Sequence, residues 1–106
     1  MKKLLIALLF TPLAHAGMTI DHCINWADEA EATMQLRQAG YTYKSMYKSI
    51  VEAAEGEATK NVYKGMLEKA FKIEVYSSDY MKNRAIDEFQ NFYFSVCLTV
   101  LEEQNK

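Results

Sequence analysis

Cys23 and Cys97 have the most definite chemistry in this sequence, and the chain holds no other cysteine. Three uses are open to such a pair: a disulfide, a metal pair or two free thiols. Zinc wants four clustered ligands, and two cysteines without a neighbouring ligand pair make a poor site. A Cys-His nucleophile would need a free thiol facing an imidazole. His22 adjoins Cys23, but successive residues on a helix point about 100° apart. His22 therefore reads as a surface residue at a helix start. The carboxylates Asp28, Glu29, Glu31, Glu52, Glu55 and Glu57 could do acid-base work if burial shifted them. They fall on polar faces or beside glycine, where a solvated role is expected. A di-metal bundle would want a Glu-x-x-His motif from each of two helices, and that pattern is absent. No catalytic residue, metal or cofactor is expected.

The N-terminus chooses among the cysteine readings. Lys2 and Lys3 precede an unbroken apolar run from Leu4 to Phe10, Pro12 breaks it, and Ala14-His15-Ala16 has the small-x-small pattern. This is the layout of a secretory signal peptide. Residues 1–16 are expected to be removed after Ala16, leaving a helical domain over 17–106. The apolar run is well below the ~20 residues of a spanning helix. Export places the cysteines where disulfides persist, so a Cys23–Cys97 bridge is predicted. Closing so long a loop should stabilise by roughly 4 kcal/mol on the chain-entropy model.

Removing Lys2 and Lys3 leaves ten Lys and Arg against fourteen Asp and Glu, a net charge near −4. An acidic chain with no basic stripe argues against nucleic acid, because phosphate binding needs clustered Lys and Arg. It argues equally against an anionic membrane surface. After cleavage no membrane association is expected, and the protein should be periplasmic or secreted.

The elements that must position these residues are all helical. Apolar residues recur with a helical period and no stretch alternates as a strand would. Helix 1 is predicted from Ile20 to Ala39, with Thr19 as N-cap and Gly40 as stop. Its core stripe is Ile20, Cys23, Ile24, Ala27, Ala30 and Met34, and Leu36 projects away from it. Helix 2 starts after Thr42 and runs to Ala54, ended by Gly56. Helix 3 is predicted over Glu57 to Tyr76. Ser77, Ser78 and Asp79 make a break, and helix 4 follows to Glu103. Its seam is Ile86, Phe89, Tyr93, Val96, Cys97 and Val100, widened by Phe92, Phe94, Leu98 and Leu101. A helix apolar over so wide an arc is deeply buried or part of an interface. Short turns favour a small four-helix up-down-up-down bundle. That topology brings the start of helix 1 to the end of helix 4, where the two cysteines lie on facing seams.

Several residues are candidates for an interface. Trp26 and Arg37 share one flank of helix 1, about three turns apart. Trp26 can line a groove or close the edge of the core. Arg37 can pair with a partner carboxylate or with a glutamate of this chain. Tyr41, Tyr43 and Tyr47 cluster at the start of helix 2, and Tyr76 and Tyr80 flank the last turn. An up-down-up-down bundle gathers these five at the end remote from the bridge. Tyrosine joins apolar area to a polar tip and is enriched at interfaces. Rings that merely seal the bundle end are the alternative.

Arg37-Gln38-Ala39-Gly40, the aromatic-bearing helix after it, Val75-Tyr76 and Cys97 resemble small, mostly uncharacterised exported helical proteins of bacteria and their prophages. The resemblance spans most of the mature chain and implies no activity. More distantly, a two-cysteine exported helical domain is similar to periplasmic immunity proteins and, in size and bridge count, to periplasmic acid-stress chaperones. The expectation is a non-catalytic protein-binding module, acting as an inhibitor or immunity factor. Its acidity would steer it to a basic partner, and a homodimer is compatible with the sequence. An acid-stress chaperone is the alternative, and a carboxylate-based hydrolase a distant third.

Overall fold

The computed structural model describes residues 19–105. The leader assigned to residues 1–16 lies outside them. The described residues form four helices, and the Cys23–Cys97 disulfide joins the first of these to the last.

α1 spans Ile20–Gln38. Thr19 adopts an extended N-cap conformation, and its backbone N–H donates to His22 Nδ1 at 3.1 Å. His22 thus serves the helix end, where the first N–H groups have no intrahelical acceptor. Gly40, at φ 91°, stops the helix. Its N–H donates to the Arg37 carbonyl, and the Tyr41 N–H reaches back to the Leu36 carbonyl. These are the paired bonds of a Schellman ending, which favours glycine at the left-handed position.

α2 is short. The Thr42 hydroxyl accepts from the Ser45 N–H at 3.2 Å and caps an α-helical turn over Tyr43–Met46. The chain then widens into a π-helical turn over Tyr47–Val51 and stops, short of the expected Ala54. Gly56, at φ 86°, is the N-cap of α3, Glu57–Ala70. α4 spans Asp79–Gln104, with the Ser78 hydroxyl accepting from the Met81 N–H.

α3 ends six residues before the expected Tyr76. The reason lies in α1. Arg37 donates from Nε and Nη2 to the Ile73 carbonyl, at 3.0 and 2.9 Å. Gln38 is buried; its Nε2 donates to the Glu74 carbonyl at 2.8 Å, and its Oε1 accepts from the Tyr76 N–H at 2.9 Å. Side chains of α1 therefore satisfy backbone groups that another helical turn would have satisfied locally.

Partners along the helices fix their directions. The bridge holds the start of α1 to the last third of α4, while Lys82 Nζ donates to the Gln38 carbonyl at the other end. α1 and α4 are thus antiparallel, and they share the most extensive helix–helix contact. α3 runs parallel to α1, with Thr33 against Met66 and Arg37 against Ile73. α2 runs back along α3, with Tyr43 against Phe71, ring centroids 5.2 Å apart. The path is up-down-up-down, but α2 sits on the outer side of α3.

Two apolar clusters follow from this arrangement. Ala30, Met34, Met66, Ala70, Ala85 and Phe89 form the core between α1, α3 and α4. Met46, Ile50, Val51 and Leu67 form a second core under α2, and Leu36 packs against it. Leu36, expected to be exposed, is covered because α2 lies on that side of α1. Met34, Met46, Met66 and Leu67 are fully buried, each worth about 1.5–3 kcal/mol. Ile20, Ile24 and Val100 were on the expected core stripes, yet they are 47%, 45% and 37% exposed. Among the described residues α3 alone closes the α1–α4 pair, so no described helix covers the far side, where Ile20 and Ile24 lie.

Candidate protein-binding surface

The bridge and the Lys82–Gln38 bond tie α1 and α4 together at both ends. Cys23 and Cys97 are fully buried, with Cα atoms 5.2 Å apart.

The expected interface residues divide into two groups. Tyr43 stacks on Tyr47, centroids 6.3 Å apart, and meets Phe71 edge-on. Arg37 lies over the same Phe71 ring at 4.4 Å while it holds the Ile73 carbonyl. Its guanidinium thus has an intramolecular role that ties α1 to the α3–α4 connection. Tyr41 is exposed beside this group. Tyr76 packs instead on the α1–α3–α4 core, and Tyr80, at 71%, is the most exposed of the large apolar side chains. The α1–α2 turn and the α3–α4 connection do lie at one end, held together by Gln38 and Tyr76.

Trp26 is half-buried and lines a shallow groove with Val62, Gly65, Lys69 and Tyr93. Beyond Lys69 lies a second groove of about 470 Å³ between α3 and α4, floored by Ile73, Tyr76, Ala85, Phe89 and Phe92. Lys69 Nζ sits 4.4 Å from the centre of the Phe92 ring, a cation–π contact. Arg84 Nε and Glu88 pair at 2.8 Å on the opposite rim. That pairing raises the Arg84 pKa further. The exposed Phe92 was the sequence signal for this groove, through the wide apolar arc of α4. Nothing in the sequence showed that α3 would end early enough to leave it open.

Titratable groups are few inside. Glu29 is half-buried, and burial raises its pKa above the ordinary 4.5. Burial, and then the Glu29 charge, raise that of Tyr63. Tyr93 is raised by burial alone. Among the described residues no three of His, Cys, Asp and Glu gather as a metal site. No described helix is long and apolar enough to cross a membrane.

Charge is divided between the helices. α1 and α4 carry Asp21, Asp28, Glu29, Glu31, Asp79, Asp87, Glu88, Glu102 and Glu103 against Arg37, Lys82 and Arg84. Lys44, Lys48, Lys60, Lys64, Lys69 and Lys72 all lie on α2, α3 and the segment after it. The α1–α4 pair is therefore the acidic side of the molecule. Compared with known protein families, with curated proteins and with solved structures, the chain matches none.

Proposed function

We propose that this protein is an exported, non-catalytic protein-binding module, an inhibitor or immunity-type factor. The observation that carries the reading is apolar display on a locked frame. Ile20, Ile24, Tyr41, Tyr43, Val75, Tyr80, Phe92 and Val100 are between 37% and 71% exposed, and most stand on helices that the buried bridge holds together. Where such residues adjoin, as Ile20 and Ile24 do on α1, an exposed apolar patch is characteristic of an interaction surface. Preorganised side chains also lower the entropic cost of association. The bridge itself suits an oxidising compartment, which supports export.

A tagged pull-down of the oxidised protein from periplasm tests the reading. A stoichiometric protein partner is the expected result, and a bait that returns alone overturns it. The acid-stress chaperone needs a fold that loosens as carboxylates protonate. Glu29 has the opposite sign: its burial cost is relieved by protonation, so acid tightens that site.

A further inference from the structure

α3 covers one side of the α1–α4 pair. It meets Thr33 of α1 through Met66 and shares a core with Ala85 and Phe89 of α4. Residues nine apart on a helix lie about two and a half turns apart, on opposite faces. Ile24 therefore points away from the Thr33 side, Phe94 away from Ala85 and Leu98 away from Phe89. The bridge brings these positions together. Ile24 and Leu98 each follow a bridged cysteine, and on antiparallel helices the same 100° step turns both toward the same open side.

The result is an apolar strip along the uncovered face. Ile20 and Ile24 are 47% and 45% exposed, and Phe94, Leu98 and Leu101 are partly buried, each leaving a minor part of its surface accessible. Helical spacing places Asp28 one turn and Glu31 two turns beyond Ile24 on α1, and Asp87 two turns before Phe94 and Glu102 one turn after Leu98 on α4. Asp28, Asp87 and Glu102 are exposed, and Glu31 is half-exposed. The cations of α4 are already engaged, Lys82 with the Gln38 carbonyl and Arg84 with Glu88.

We propose that this open face of α1 and α4 docks a cationic amphipathic helix of another protein. Its apolar side seats on Ile24, Phe94 and Leu98, and its flanking Lys and Arg meet Asp28, Glu31, Asp87 and Glu102. The inference rests on the protein-binding reading and adds the surface and the chemistry of the partner. Charge complementarity selects this occupant. A second copy laid face to face would set carboxylates against carboxylates, which costs free energy on contact.

The test uses two synthetic amphipathic helical peptides with the same leucine face, one flanked by Lys and Arg and the other by Glu. Each is titrated into the oxidised protein by fluorescence anisotropy, with amide shifts mapped by NMR. The cationic peptide should bind at least tenfold more tightly, weaken with salt and move the amides of Ile24 and Leu98. Ile24→Glu and Leu98→Glu should each lower its affinity at least tenfold, although both make the chain more acidic. The surface double variant D28K/E31K should do the same without touching the apolar strip. Ala58→Glu, an exposed position in the first turn of α3, should leave binding unchanged. Equal or tighter binding by Ile24→Glu and Leu98→Glu would show unspecific attraction and overturn the proposal. So would shifts mapping to the α3–α4 groove, or a dimer in sedimentation that Leu98→Glu dissociates. The two readings fail separately. An empty pull-down sinks protein binding altogether, whereas a captured partner retained by Leu98→Glu sinks only this face.

Discussion

Replacing both bridged cysteines by alanine removes a crosslink between residues 74 apart. The chain-entropy relation gives about 4.5 kcal/mol at 25 °C for a closed loop of that length. A domain of this size commonly has about 4–13 kcal/mol of total stability, so the bridge accounts for a large share of it. The pair is also fully buried, and the void left by two sulfurs adds to the loss. Urea unfolding of C23A/C97A beside the oxidised protein measures the difference. The midpoint should fall sharply, with helix content retained if the variant stays folded in buffer. The m-value should rise, because an unbridged chain exposes more surface when it unfolds. Reduced wild-type protein in the same assay separates crosslink from cavity, since the thiols refill the space. A loss below about 1.5 kcal/mol in both samples would refute the argument. It would mean that the α1–α4 contact already restricts the denatured chain to the same degree.

Gln38→Ala leaves the Glu74 carbonyl and the Tyr76 N–H without their α1 partner. A loss of about 2–3 kcal/mol is expected, with faster hydrogen exchange at the Tyr76 amide; unchanged exchange there would contradict the account of why α3 stops. Glu29→Gln tests the buried carboxylate. Burial raises the folded-state pKa, so the stabilising contribution is present at low pH and lost as pH rises through the folded value. The variant should therefore melt higher than wild type at pH 7, and the gap should close below pH 4.5 as Glu29 itself protonates. A gap that stays constant with pH would show that the charge is not its cause.

Local signals carried much of the architecture. Thr42, Ser78 and Gly40 mark helix ends by chemistry confined to a few neighbouring residues, and the structure puts ends there, whereas Gly56, expected to stop helix 2, caps the start of α3 instead. The cysteine pairing was legible because compartment, topology and periodicity agreed. The end of α3 was not, because the residues that end it are Arg37 and Gln38, over thirty positions earlier. Periodicity through Ile73 and Tyr76 continues as though the helix did. The exposure of Ile20 and Ile24 was hidden for a related reason. A seam shows which side of a helix is apolar, and only the number of helices packed around it decides how much of that side is covered. Arg37 was readable as a cation on the flank of α1, but its stacking on Phe71 depends on where α3 stops. The division of charge between the α1–α4 pair and the lysine-bearing helices becomes visible once those two helices are known to be partners.

The bridge also sets the order of events in making the protein. Cys97 is synthesised 74 residues after Cys23, which at about 5–20 residues per second means a delay of about 4–15 s. Through that interval α1 has emerged without the helix that forms its largest interface, and α2 and α3 can cover only its other flank. Closure of the α1–α4 pair is therefore a late event, and the waiting Cys23 thiol is the vulnerable group. With two cysteines in the chain, no wrong bridge can form within one molecule. The mispairing open to Cys23 is a disulfide to a different molecule, so it should rise with protein concentration rather than by shuffling within one chain.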